Sequence, residues 1–191
     1  MNEIFNGVKL IVSLGNPGEK YRNNRHNVGF LALDFILNDG DGFMTAKPSH
    51  GFKSEMFTWQ EGEDKVIFLK PQTYMNDSGL ALKEVVNFYK LNPKEELLVI
   101  HDDVDLPLNE IRATDNSSSA GHKGVQSIID NLGIQDFHRI RVGVESREDK
   151  NIPPTEAFVL QNFTDEEIKK LQVDVFPKIK LEIEKFLKTK N

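Results

Sequence analysis

Strand-like and helix-like apolar patterns alternate along this chain, and that alternation narrows the possible folds more than any other feature. Residues 8–14 are dense in branched apolar side chains and predict a buried strand, which Gly15-Asn16-Pro17-Gly18 breaks into a loop. Residues 28–37 predict a helix with Phe30, Leu33, Ile36 and Leu37 on its apolar side. Residues 53–59 and 65–69 read as strands around the polar turn 61–64. Ser78 is placed to cap a helix reaching about Tyr89, in which Leu82, Val85, Val86 and Tyr89 share one face. Residues 97–100 form a short, wholly apolar strand that ends at His101-Asp102-Asp103. Residues 110–114 and 138–144 suggest further strands. Val125, Ile128, Ile129 and Leu132 mark a helix stopped by Gly133. Thr164 with Glu167 has a capping-box pattern, and 164–190 reads as a helical segment bent or restarted near Pro177. The expectation is one α/β domain over residues 1–191, with a central, mostly parallel or mixed sheet flanked by helices on both faces. The polar stretch 148–155, with Pro153-Pro154, reads as a loop, with a mobile lid over a site as the alternative.

At 191 residues the chain can bury a core without staples. It has no cysteine, which excludes disulfides, thiolate metal sites and a cysteine nucleophile. Its start lacks the basic lead and long apolar centre of a signal peptide, and no stretch approaches membrane-spanning length, so a soluble cytoplasmic protein is expected. A net charge of −6 argues on composition against a nucleic-acid partner, although local potential decides such binding. Acids crowd 61–64 and 165–167, whereas Lys70, Arg112, Lys123, Arg139 and Arg141 fall near the polar motifs.

Sites in open α/β sheets gather where strands end and loops begin. Five polar clusters fit that position: Asn16, Arg25-His26-Asn27, Asn76, His101-Asp102-Asp103 and Gly121-His122-Lys123-Gly124. Singly, each has an ordinary structural explanation as a cap, a turn or a buried histidine. Together they suggest a histidine base with an orienting carboxylate, and asparagines to hold a water or a charged oxygen. No serine sits in a nucleophile-elbow pattern, so direct attack by water is the simpler scheme. His26, His101, Asp102, Asp103, Asp105 and His122 are all metal-ligand types, but no His-Glu-x-x-His helix or cysteine pair organises them, and no metal is expected.

At this point the motifs carry a resemblance. Leu14-Gly15-Asn16-Pro17-Gly18, Tyr21 and Arg25-His26-Asn27-Val28-Gly29-Phe30 resemble the first signature of bacterial-type peptidyl-tRNA hydrolases. The run from Lys70 through Asn76 to Gly79 is similar to the second, and His101-Asp102-Asp103-Val104-Asp105-Leu106 with Gly121-His122 to the third. Arg139-Ile140-Arg141-Val142-Gly143 and Phe158 through Phe163 extend the likeness over nearly the whole chain. The resemblance implies hydrolysis of the ester between a peptide and tRNA, by a cytoplasmic monomer with no cofactor, metal or membrane partner. It implies His26 as general base, Asp102 as its support, Asn16 as discriminator of peptidyl- from aminoacyl-tRNA, and Asn76 as a substrate and water ligand. It further implies that Tyr21 and Tyr74 meet the tRNA end, that Met75 lines the same groove, that Arg141 lies near the tRNA phosphate, and that His122 borders the peptide channel. The alternative is a non-catalytic RNA-binding relative of the same fold.

The chain departs from the family pattern in places. Lys123 stands where an asparagine is usual, Asn116-Ser117-Ser118-Ser119-Ala120 replaces a glycine-rich stretch, Thr114 replaces a basic residue, and Glu145-Ser146-Arg147 replaces Gly-Arg-Pro. Lys123 is read as supplying a phosphate contact that offsets the charge missing at Thr114, with a simply solvated lysine as the alternative.

Overall fold

The computed structural model describes residues 7–38, 47–149 and 153–189. In chain order the elements are β1 (Val8–Ser13), α1 (Val28–Asn38), β2 (Lys47–Gly51), β3 (Ser54–Glu61), β4 (Asp64–Pro71), α2 (Ser78–Tyr89) and α3 (Pro93–Glu96). They continue with β5 (Leu97–Pro107), β6 (Ile111–Thr114), α4 (Lys123–Leu132), β7 (His138–Glu145), α5 (Thr155–Phe158), α6 (Asp165–Lys170) and α7 (Phe176–Lys188). The strands form one sheet in the order β2-β3-β4-β1-β5-β7-β6. The middle four are parallel, while β2, β3 and β6 join antiparallel at the edges. The sheet is therefore mixed, as expected.

Successive strand residues point to opposite faces, so a strand buried on both sides must be apolar throughout. Ile11, Val66, Phe68, Leu98 and Ile100 pack against Leu33 and Ile36 of α1 and Ile179 and Ile183 of α7. Their neighbours Leu10, Val12, Ile67, Leu69 and Val99 pack on the other face against Leu82 and Val85 of α2 and Val125 and Ile128 of α4. The two helical layers close the core.

Two local expectations need correction, and two further features were not anticipated. The strand expected to stop at Ile100 continues to Pro107, so His101, Asp102 and Asp103 lie within β5. The cause is pairing: β1 follows β5 only as far as Ile100, but β7 continues opposite His101, Asp102 and Asp103. Ser78 does not cap α2; its hydroxyl donates to Met75 O at 3.0 Å, and the helix grows out of the single turn Met75–Asp77. The edge strand β2, Lys-Pro-Ser-His-Gly, has no apolar alternation to announce it and exists through pairing with β3. Lys70 and Arg139 are internal cations rather than surface ones. Lys70 pairs with Asp34 at 2.6 Å, and Arg139 is buried with its guanidinium on the carbonyls of Ser117, Ser118 and Gln135.

Other expectations hold. The capping box at Thr164 and Glu167 is formed, and Gly133 ends α4 in a left-handed conformation. The C-terminal helix widens into a π turn over Leu171–Val175 just before Pro177, whose missing N–H cannot continue an α ladder. Residues 150–152 of the stretch read as a loop or lid, and Lys190, lie outside the described residues.

Candidate active site

β5 outruns β1, and the space beyond the end of β1 is filled by the turn Arg25–Asn27 that leads into α1. Gly29 makes this close approach possible. A Cβ there would lie 2.6 Å from Leu14 O and 2.8 Å from Ile100 O, so only glycine lets the helix start rest on the strand ends. The approach places His26 against Asp102. Around them opens a cavity of about 580 Å³.

His26 Nδ1 lies 2.8 Å from Asp102 Oδ1. With Asp102 ionised, Nδ1 carries the proton, and Nε2 is the nitrogen left to the cavity. Burial opposes the imidazolium of His26, but the charge and hydrogen bond of Asp102 outweigh it, with Lys123 working the other way; the net shift is upward from 6.5. Burial likewise pushes the Asp102 carboxyl up, yet the two imidazoles beside it, His26 and His122, hold it well below the usual carboxylate range.

The second of those imidazoles has a fixed tautomer. His122 is the N-cap of α4, and its Nδ1 accepts from Gly124 N at 3.1 Å and Val125 N at 3.2 Å. Its proton is thereby on Nε2, which donates to Asp102 Oδ1 at 2.9 Å. One carboxylate oxygen thus serves two histidines. A third ring, His101, packs edge-on to His122 and is fully buried, which lowers its pKa to about 3; its Nδ1–H donates to Asp102 O at 2.8 Å.

Asn16 is oriented with equal certainty. Its Oδ1 accepts from Met75 N at 2.8 Å, while its backbone exchanges two hydrogen bonds of 2.9 Å with the Asn27 side chain. Only its amide NH2 remains for the cavity, as a donor. Met75 is buried beside it, and Asn76 is exposed at the cavity wall. Tyr21 and Tyr74 meet edge to face at a centroid distance of 6.5 Å, with Tyr74 largely exposed. Lys123, at the first position of α4, and Arg141, on β7, also line the cavity. Arg141 is bonded to Asp103. All ten residues singled out from the sequence therefore face one space. Ser117 to Ala120, Glu156, Val159 and Leu160 complete the walls and were not foreseen, while Thr155, also in the wall, ends the stretch read as a loop or lid.

His26, Asp102 and His122 offer donor atoms within 4.8 Å of one another, the one grouping among the described residues with metal-ligand spacing. The nitrogens facing Asp102 both carry protons in the arrangement above, so a cation there would have to displace two hydrogen bonds.

Fold and site define an α/β protein with a histidine–aspartate pair where β5 runs on past the end of β1, open to a cavity lined by amides, aromatic rings and cations. Residues 10–191 match the family model described as peptidyl-tRNA hydrolase. A peptidyl-tRNA hydrolase of Lactobacillus gasseri is 41% identical over 186 residues, covering 96% of this chain and 95% of its own. That of Thermodesulfovibrio yellowstonii is 44% identical over 164 residues, covering 85% and 84%. The crystal structure of the Acinetobacter baumannii enzyme superposes with a TM-score of 0.73 at 26% identity, over 95% of each chain. The chain belongs to the peptidyl-tRNA hydrolase family.

Proposed function

We propose that this protein hydrolyses the ester joining a peptide to tRNA, with His26 as general base, without a metal and as a cytoplasmic monomer. The observation that carries this reading is the 2.8 Å contact of His26 Nδ1 with a deeply ionised Asp102, which leaves Nε2 facing the cavity beside the free amide of Asn16. A water held by Asn16 and Asn76 gives its proton to His26 Nε2 as its oxygen bonds to the ester carbonyl carbon. The carbonyl oxygen gains the charge, and the amide NH2 of Asn16 or Asn76 is the donor available to it. Collapse breaks the bond to the ribose oxygen, which takes the proton back from the imidazolium. Peptide acid and tRNA leave.

Tyr21 and Tyr74 offer faces for the terminal base of tRNA, Met75, Val159 and Leu160 an apolar wall for a peptide of any sequence, and Arg141 and Lys123 charges for phosphate. The tautomer of His122 supports a metal-free mechanism, because its Nε2 lone pair is not available. No observation favours the non-catalytic alternative. The test is hydrolysis of an N-acetylated aminoacyl-tRNA with the unblocked form as control, in buffer with and without a chelator. Preferential cleavage of the blocked ester, unaffected by chelator, is expected. No turnover of either ester contradicts the enzyme reading, and loss of rate with chelator contradicts metal independence.

A further inference from the structure

The turn that carries His26 is only three residues long and has no side-chain cap. Its backbone is tied instead to a segment more than 130 residues later. Arg25 N–H donates to Gln161 O at 3.0 Å, His26 N–H to Val159 O at 2.8 Å, and Phe163 N–H back to Asn23 O at 2.9 Å, while Asn24 forms a β-bridge with Asn162. The Arg25 side chain extends this tie away from the cavity. It is buried, lies over the rings of Phe158 and Phe163 at 4.5 and 4.9 Å, and reaches Val144 O at 3.4 Å. Its Nη2 donates to both oxygens of Glu167, at 2.8 and 3.0 Å.

Glu167 gathers more than Arg25. Its carboxylate also accepts Thr164 N–H at 2.8 Å and the Ser146 hydroxyl at 2.9 Å. Burial pushes this carboxyl up, but the Thr164 amide, Arg25 and Ser146 together hold it below the usual range, so it stays ionised. One acid thus joins the turn before α1, the chain leaving β7 and the first turn of α6. Removing one partner of such a pair leaves a buried, uncompensated charge.

The pair sits one residue from the imidazole. A catalytic group displaced by about 1 Å can lose roughly 10²-fold in rate, so whatever fixes the turn fixes the chemistry. The tied segment also continues into Thr155 to Leu160, which walls the cavity. We infer that Glu167, which does not line the cavity, is a positioning residue for His26: through Arg25 it locks the turn carrying the imidazole onto the segment that walls the substrate cavity. This rests on the reading of His26 as the base.

The test compares Glu167→Ala and Glu167→Gln with Thr164→Ala in the full chain. Thr164→Ala removes the hydroxyl to which Glu167 N–H donates at 3.2 Å, but leaves the pair with Arg25. Two quantities are read: kcat and KM on an N-acetylated aminoacyl-tRNA, and the His26 titration midpoint by NMR. For Glu167→Ala, kcat is expected to fall roughly 10- to 100-fold with KM near the wild-type value, and the His26 midpoint to move down as its contact with Asp102 loosens. Glu167→Gln keeps one acceptor for Arg25 and falls between. Thr164→Ala keeps the wild-type kcat and midpoint, even with a lower melting temperature. A folded Glu167→Ala protein with wild-type kcat and midpoint overturns the inference. So does an equal loss in Thr164→Ala, which assigns the effect to the stability of α6. If Glu167→Ala does not fold, Glu167→Gln decides on the same two quantities. His26→Ala is run alongside: an active His26→Ala removes the base itself, whereas an inactive one beside a wild-type-like Glu167→Ala removes only the link through Arg25.

Discussion

Asp102→Asn isolates the charge on which His26 depends. Asparagine retains a carbonyl oxygen where Oδ1 stands, so the protons of His26 Nδ1 and His122 Nε2 keep an acceptor at 2.8 and 2.9 Å. Only the negative charge is lost. In the wild type, burial opposes the imidazolium and Asp102 overcomes it, so the pKa of His26 is raised from 6.5. Without that charge, burial and Lys123 remain, and both lower it. Two unit charges about 4 Å apart interact by about 4 kcal/mol at an effective dielectric near 20. The donated proton of His122 neutralises part of the field of Asp102, so about half of that sum is the working figure, and each ~1.4 kcal/mol is one pKa unit or tenfold in rate. The acid limb of the pH–rate curve is therefore expected to move down by roughly 1 to 2 units, and the plateau kcat to fall by roughly 10- to 100-fold. The assay is initial-rate hydrolysis of an N-acetylated aminoacyl-tRNA across about pH 5 to 9, corrected for spontaneous ester loss. An acid limb at the wild-type position with an undiminished plateau refutes electrostatic support of His26 by Asp102.

Three further outcomes follow from the same geometry. Gly29→Ala drives a Cβ to within 2.6 Å of Leu14 O, so thermal unfolding should show a loss of about 1–3 kcal/mol, with a drop in kcat as the turn is displaced; full stability and activity contradict the close-approach reading. Lys123→Asn should raise the acid limb of the pH–rate curve, because the lysine lowers the pKa of His26, and should flatten the salt dependence of tRNA binding by roughly one unit of slope if the ammonium meets a phosphate; an unchanged slope removes that contact. His101, lowered to about 3, resists a proton that the unfolded chain accepts below about pH 6.5. Its linkage penalty grows as pH falls from there toward 3 and reaches on the order of 5 kcal/mol. His101→Asn should thus move the acid-unfolding midpoint to lower pH, and an unchanged or higher midpoint refutes the penalty.

The layered architecture was legible because strands buried on both faces, such as 8–14 and 65–69, must be apolar at every position, and helices packed on one side must repeat at 3.6 residues. What could not be read were features made by long-range pairing. β2 has no pattern of its own, and β5 carries the polar His101-Asp102-Asp103 inside a strand because β7 pairs its backbone, His26 and His122 hydrogen-bond Asp102, and Arg141 pairs with Asp103. The candidate site was visible as five weak clusters that together suggested a histidine base with a carboxylate, while the substrate and the role of each residue came from the resemblance. Their convergence on one cavity is a property of the sheet order, which brings β1 beside β5. The sharing of Asp102 between His26 and His122, and the pairing of Arg25 with Glu167, join residues distant in sequence by contacts that no local spacing encodes. Glu167 announced its helix cap and nothing of its second partner.

The most direct measurement is single-turnover cleavage of an N-blocked aminoacyl-tRNA by His26→Ala at saturating enzyme, with tRNA affinity determined on the same preparation. Removing one imidazole that takes a proton from water should slow bond breaking by about 10²-fold or more while binding stays intact. Cleavage within a few-fold of the unaltered protein would mean that water is activated elsewhere and that the Asp102–His26 contact serves only to hold the chain together.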